Sequence, residues 1–112
     1  MPSFIKAPEP PYFAVIFTST LRDDAAPGYE AMAEAMFNLA QKQPGYLGFE
    51  TAHGEDGLGV TVSYWKDEAS IKSWKAVARH QAAQNKGKAD WYAWFHVRVA
   101  KVERGYSFER EE

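Results

Sequence analysis

The chain has 112 residues, a size that fits a single domain. Its net charge of -2 argues against the basic patch that nucleic-acid binding requires, and its lack of cysteine excludes disulfides and thiol chemistry. No apolar run approaches the ~20 residues of a membrane span, and the N-terminus lacks the apolar region of a signal peptide, so we predict a cytoplasmic protein without nucleic-acid or membrane partners.

The first predicted strand, residues 12–20, follows a proline-rich arm. Prolines at positions 8, 10 and 11 favour extended chain, so we predict an N-terminal arm over residues 1–11. We predict that the folded domain covers residues 12–106 and that residues 107–112 form a C-terminal tail. The strand has no polar face, because both sets of alternating side chains are apolar. One set is Tyr12, Ala14 and Ile16, and the other is Phe13, Val15 and Phe17.

The next elements are a helix over residues 27–42 and a hairpin of two strands over residues 46–53 and 58–65. Apolar residues at helical spacing predict the helix, and Pro44-Gly45 ends it. The hairpin prediction rests on Asp56-Gly57, a pair that tolerates the positive backbone angles of a tight turn. A second helix over residues 67–85 begins at Asp67, a good N-cap, and ends before Gly87. The last strand covers residues 91–102.

This order, β-α-β-β-α-β, predicts an α+β ferredoxin-like fold with two helices on one face of a four-stranded antiparallel sheet. The two helices of a chain this short can cover one face of the sheet. The two-sided apolar strands therefore predict that a second copy of the chain covers the other face, as a homodimer.

Four segments resemble the antibiotic biosynthesis monooxygenase family over about residues 12–106. They are residues 12–19, 43–48 and 60–65, and the pair Trp74 and His80 on the second helix. The resemblance implies a dimeric α/β barrel with a pocket between sheet and helices. It also implies an activity from a range that includes cofactor-free oxidation of hydroquinones and haem degradation.

His80 is the predicted catalytic residue. Cofactor-free oxygenation needs a phenol or enol to lose a proton before its anion reduces dioxygen, and an imidazole accepts protons near neutral pH. A base within hydrogen-bond reach contributes about 10²–10⁴-fold. His80 lies six residues after Trp74, so at 3.6 residues per turn the two occupy adjacent faces of the helix. The alternative is a surface or partly buried helix residue without a chemical role.

Four aromatic residues are the predicted substrate-binding groups. Trp74 forms either a flat wall for an aromatic substrate or the main core anchor of the second helix. Tyr64 and Tyr92 either offer a hydroxyl to a substrate oxygen or pack in the core or dimer interface. Strand alternation separates Tyr64 from Trp65, so these residues serve both faces of the sheet. The four are Trp74, Trp65, Tyr64 and Tyr92.

We expect simpler roles for the other polar residues that could belong to a functional site. His53 is predicted to be solvated at the hairpin tip. Arg98, which shares a strand face with His96, either binds an anionic substrate or forms a surface or interface salt bridge. No histidine pair has the His-x-x-x-His spacing of a metal site, and no glycine-rich nucleotide motif is present, so we predict neither a metal nor a nucleotide cofactor.

Haem is the lesser alternative. The haem-degrading branch of the family uses an asparagine on the first strand and a histidine ten residues after a tryptophan on the second helix. Here the first strand has Thr18 and Ser19, and the tenth residue after Trp74 is Gln84.

We therefore predict a cofactor-independent monooxygenase that acts on a small aromatic or quinol-like compound. The alternatives are a non-catalytic module that binds a small hydrophobic ligand and a haem-binding or haem-degrading protein.

Overall fold

The structure is a computed structural model that describes residues 7–23, 28–85 and 91–110. It contains six elements in the predicted order, which confirms the ferredoxin-like βαββαβ fold. They are β1 (Tyr12–Leu21), α1 (Tyr29–Gln41), β2 (Tyr46–His53), β3 (Leu58–Trp65), α2 (Glu68–Asn85) and β4 (Tyr92–Val102). Among the described residues, neither helix combines the length and apolar character needed to cross a membrane.

The four strands form one antiparallel sheet in the order β2-β3-β1-β4. β1 therefore lies inside the sheet, between β3 and β4. Its residue Phe13 pairs with Trp65 of β3 and Lys101 of β4, and Phe17 pairs with Thr61 and Val97. This register fixes which side chains share a face, because alternate residues of each strand point the same way.

The hairpin of β2 and β3 has the predicted bounds at both strands. Its turn is fixed locally. Gly57 has a φ of +85°, the Leu58 amide donates to Asp56 Oδ1 at 3.1 Å, and the Gly54 amide donates to the Leu58 carbonyl at 2.8 Å. The Asp-Gly pair thus provides the positive angle and the side-chain acceptor that this turn requires.

The N-cap predicted for the second helix is present. Asp67 Oδ1 accepts hydrogen bonds from the Ser70 amide at 2.8 Å and the Ser70 hydroxyl at 2.7 Å. These bonds lower the pKa of Asp67, the side-chain bond having the larger effect. The predicted first helical residue, Pro27, and the predicted C-cap, Gly87, lie outside the described residues.

The two faces of the sheet differ in what packs against them. On one face, which we call the helix-side face, Phe37 of α1 contacts Phe49 of β2 with ring centroids 4.7 Å apart, and Trp74 of α2 stacks on Trp65 of β3. The opposite face, which we call the open face, is not covered by α1 or α2. Its apolar centre consists of Ala14, Ile16, Val60 and Val62, and its polar rim includes Glu50, His96 and Arg98.

Candidate functional site

The helix-side face is incompletely covered where β1 meets β4. Val97 and Val99 of β4 are 54% and 52% exposed, and Phe95 is 38% exposed. The neighbouring side chains of β1 are half-buried. Together these residues form an exposed apolar surface on the helix-side face, and small-molecule sites are lined mainly by apolar and aromatic side chains. We call it the groove and define it by Val15, Phe17, Phe95, Val97 and Val99.

One end of the groove is a cluster of aromatic rings around Tyr92. The register of β1 and β4 shifts between Thr20 and Leu21, and this irregularity brings Tyr92 and Phe95 together. Phe17 stacks on Phe95 with centroids 5.3 Å apart and meets Tyr92 edge-on at 5.6 Å. Tyr29 of α1 meets Tyr92 from the other side at 5.8 Å. We call this the tyrosine end.

The surroundings of Tyr92 disfavour the ionised form of its hydroxyl. Burial, followed by the interaction with Tyr29 that includes a side-chain hydrogen bond, raises the pKa of Tyr92 above its ordinary value of 10.0. A tyrosine phenol is uncharged at neutral pH even at its ordinary pKa, and the raised pKa extends that state to more alkaline pH. The role of Tyr92 in orienting a substrate oxygen stays a prediction.

The other end is a tryptophan pair with unequal exposure. Trp65 is fully buried at 0% exposure, and its Nε1 donates to Ser63 Oγ at 2.8 Å. Trp74 of α2 is half-buried and stacks on Trp65 with centroids 5.8 Å apart. Trp65 is thus a core residue that supports Trp74 from behind, and only Trp74 presents a surface that a ligand can reach. We call this the tryptophan end.

The predicted aromatic groups therefore lie at two separate places. Trp65 pairs with Phe13, whereas Tyr92 contacts Phe17, four residues further along β1. At a rise of about 3.3 Å per residue, roughly 13 Å of strand separates the two. A ligand must extend along the groove to approach both ends.

Tyr64 lies on the open face and does not join this group. Its hydroxyl donates to Glu50 Oε1 at 2.6 Å, and its ring meets Tyr12 edge-on at 5.7 Å. Burial, and then the bond to Glu50, raise the pKa of Tyr64. The alternation that separates Tyr64 from Trp65 was evident in the sequence, and the structure leaves the Tyr64 hydroxyl engaged on the opposite side of the sheet.

His80 is exposed on α2. At 3.6 residues per turn it lies about 120° around the helix axis from Trp74. This position agrees with the alternative of a surface helix residue. The assignment of His80 as the catalytic base stays a prediction from the sequence.

Two other basic residues considered in the sequence, His96 and Arg98, lie exposed on the open face, where the ring of His96 contacts Trp94 at 5.4 Å. They therefore do not face the groove. His53, by contrast, is exposed as predicted but belongs to the helix-side face, where it pairs with Gly59. The sequence already indicated this pairing, because a hairpin turn that begins after His53 places His53 opposite Gly59.

The described residues bear on a metal or haem site in two ways. Within the described ranges, no three histidine, cysteine or acidic side chains gather closely enough to hold a metal ion. The histidine of α2 that would approach a haem, His80, is exposed on the flank of the helix. The residue at the position usual for the haem-degrading branch is Gln84.

Comparison with known proteins adds an independent finding. The family model of the antibiotic biosynthesis monooxygenases matches residues 12–86. This segment extends from β1 past the end of α2. The match stops before β4, so the strand that provides Phe95, Val97 and Val99 lies outside it.

Individual relatives cover most of the chain. The uncharacterized protein YqjZ of Bacillus subtilis is 48% identical over 104 residues, which cover 93% of this chain and 90% of that protein. Jasmonate monooxygenase ABM of Pyricularia oryzae is 27% identical over 101 residues, 88% of this chain but 41% of the longer protein. A variant of SnoaB, a cofactor-independent oxygenase from Streptomyces nogalater, superposes with a TM-score of 0.68 at 14% identity, covering 84% of this chain and 95% of that chain. The last likeness concerns the fold alone.

Proposed function

Because the chain belongs to the antibiotic biosynthesis monooxygenase family, we propose that it is a cofactor-independent monooxygenase. Its substrate is a small aromatic or quinol-like compound that binds in the groove. The observation that carries this proposal is the open apolar surface of Phe17, Phe95, Val97 and Val99, with the neutral hydroxyl of Tyr92 at one end. The name of one relative, a jasmonate monooxygenase, supports the same reaction class.

The proposed reaction needs no external reductant. A bound phenol loses its hydroxyl proton, and the electron-rich anion reduces dioxygen at a ring carbon. When that carbon lies para to the hydroxyl, one oxygen atom becomes the second carbonyl of a quinone. The other leaves as water with the ring hydrogen and the phenolic proton. The substrate supplies all four electrons, so the protein has to bind, orient and deprotonate it.

The groove offers what binding and orientation require. The rings of Phe17 and Phe95 provide faces against which an aromatic ring can pack, and such contacts add to the burial of apolar area. Tyr92 supplies a hydrogen bond at the tyrosine end, and Trp74 supplies a flat surface at the tryptophan end. Phe95, Val97 and Val99 of β4 complete this proposed substrate surface beside Phe17 of β1.

We also propose that a second copy covers the open face. An apolar centre with a polar rim is the pattern of protein interfaces, and the rim holds both an acidic residue, Glu50, and a basic one, Arg98. Light scattering at micromolar concentration tests this. A mass near twice 12.7 kDa is expected, and a mass of one chain would contradict the dimer.

The function is tested by oxygen uptake with a panel of hydroquinones, phenols and, because of the Pyricularia relative, jasmonate. Incorporation of one labelled oxygen atom from ¹⁸O₂ into the product, measured by mass spectrometry, would support oxygenation. Val97→Lys puts a charge into the groove and should abolish uptake. Phe108→Lys, which places the same charge on an exposed apolar residue beyond the end of β4, is the matched control.

Two outcomes would replace the proposal. A compound that stabilises the protein and is recovered unchanged in air would indicate a binding module. A saturable haem absorbance band that decays when a reductant is added in air would indicate haem degradation. No uptake with any compound of the panel, together with no binding, would contradict the proposed function.

A further inference from the structure

One row of residues crosses the helix-side face at the tyrosine end. Reading from β2 through β3 and β1 to β4, the row consists of His53, Gly59, Ser19 and Phe95. Among the described residues of the sheet, His53 is the histidine that belongs to this face. The row therefore joins a proton acceptor to the aromatic surface of the groove.

Gly59 leaves room for the imidazole of His53. A Cβ atom at Gly59 would lie 3.1 Å from His53 Cδ2 and 3.5 Å from His53 Nε2, so the ring leans over the glycine toward β1. The same Cβ position is 3.8 Å from Ser19 Oγ. The imidazole and the serine hydroxyl thus border one spot above Gly59, and Ser19 is only 4% exposed.

This spot adjoins the groove directly. Ser19 pairs with Phe95 across β4, and Phe17 lies two residues before Ser19 on the same face. An aromatic ring that packs against Phe17 and Phe95 would point a hydroxyl substituent toward the spot. His53 is also exposed, so a proton that it accepts can pass to solvent.

We propose that His53 is the residue that accepts the hydroxyl proton of the substrate, and that Ser19 donates a hydrogen bond to the same oxygen. This inference rests on the proposed function and names the proton acceptor for it. In the step, the substrate O–H bond breaks and an N–H bond forms on the imidazole. The products are an imidazolium and a phenolate, and the imidazolium later releases the proton to water. His53 takes the place predicted for His80, which lies on the exposed flank of α2.

The test separates proton transfer from oxygenation. 4-Nitrophenol is titrated into the protein under argon, and the yellow phenolate band reports how much of the bound phenol is ionised at each pH. We expect the wild type to bind and ionise the phenol at a lower pH than free solution requires. His53→Gln, which retains hydrogen bonding but not proton acceptance, should raise the pH at which the bound phenol ionises to that of free solution or above.

Two further variants make the test specific. Gly59→Ala should displace the ring, because a Cβ only 3.1 Å from Cδ2 is too close, and should lower ionisation although His53 is still present. His96→Gln removes an exposed histidine of the open face and should have no effect.

The proposal would be overturned by equal ionisation in wild type and His53→Gln, by a loss in His80→Gln larger than that in His53→Gln, or by failure of the wild type to bind the phenol. Turnover is measured separately as oxygen uptake, where His53→Gln should lose about 10²–10⁴-fold. Ionisation that depends on His53 without oxygen uptake by any substrate would uphold this inference and contradict the oxygenase function.

Discussion

Trp74 of α2 lies stacked on Trp65 of β3, with ring centroids 5.8 Å apart and an angle of 22° between the planes. Trp65 is fully buried and Trp74 is half-buried. The sequence left open whether Trp74 was a wall or a core anchor. The two stacked rings have different roles. Trp65 anchors the core, whereas Trp74 covers Trp65 and also faces outward.

Truncation of the two rings should therefore give different results. Trp65→Ala removes a fully buried side chain and should lower the free energy of unfolding by about 3–5 kcal/mol. Trp74→Ala should cost less, since part of its ring is already in contact with solvent. Urea unfolding followed by circular dichroism measures both. Equal losses would contradict the division of tasks.

Ser63 should matter through the ring that it holds. Its hydroxyl accepts the hydrogen bond of the buried Trp65 indole at 2.8 Å. Ser63→Ala leaves that N–H without its acceptor, so we expect a loss of about 1–3 kcal/mol in the free energy of unfolding. Thr51→Ala breaks the exposed hydrogen bond to Thr61 and is the control, with a smaller expected loss. If both substitutions had the same effect, the buried bond would not be the cause.

Tyr92 should make stability depend on alkaline pH. Burial, and then Tyr29, raise its pKa in the folded state above 10.0, whereas the unfolded chain ionises near pH 10. Above that pH the folded state binds more protons than the unfolded state, so stability is full below pH 10 and falls as the pH rises further. Tyr92→Phe should show a shallower fall between pH 9 and 11 in urea unfolding. Tyr106→Phe alters an exposed ring and should keep the wild-type slope.

Gly45 should not tolerate a side chain. It has a φ of +83°, its carbonyl accepts the Lys66 amide at 2.8 Å, and a Cβ there would collide with the Ser70 side chain. Gly45→Ala should thus cost about 1–3 kcal/mol from backbone strain, with a further loss from the collision. Gly105→Ala, where a Cβ meets nothing within 4 Å, is the matched control. A difference near zero in thermal unfolding would contradict this role.

The sequence predicted the fold correctly at the positions where neighbouring residues determine the local structure. Asp56-Gly57 fixed both ends of the hairpin, and Asp67 fixed the start of α2, because turn and cap residues act within a few positions. β4 begins at Tyr92 rather than at residue 91, where the sequence had the strand begin.

The site was accessible only in part, because it depends on pairing between distant strands. The register shift beside Leu21, which brings Tyr92 close to Phe95, leaves no trace in the local pattern. The exposure of Val97 and Val99 depends on how far the helices reach across the sheet. The arrangement of His53 and Ser19 on either side of Gly59 requires the registers of β2, β3 and β1 together.

The pairing of β1 with β4 also has a consequence for biosynthesis. Tyr12 pairs with Val102, about 90 residues later in the chain, so the two strands that carry the groove are the first and the last strands of the sheet to be synthesised. Contacts between such distant segments require closure of a long loop and form slowly. The hairpin and both helices can assemble earlier, whereas β1 keeps an unpaired edge until β4 has been synthesised. A message truncated before β4 would therefore encode a nascent chain that lacks one side of its groove and presents a sheet edge prone to aggregation.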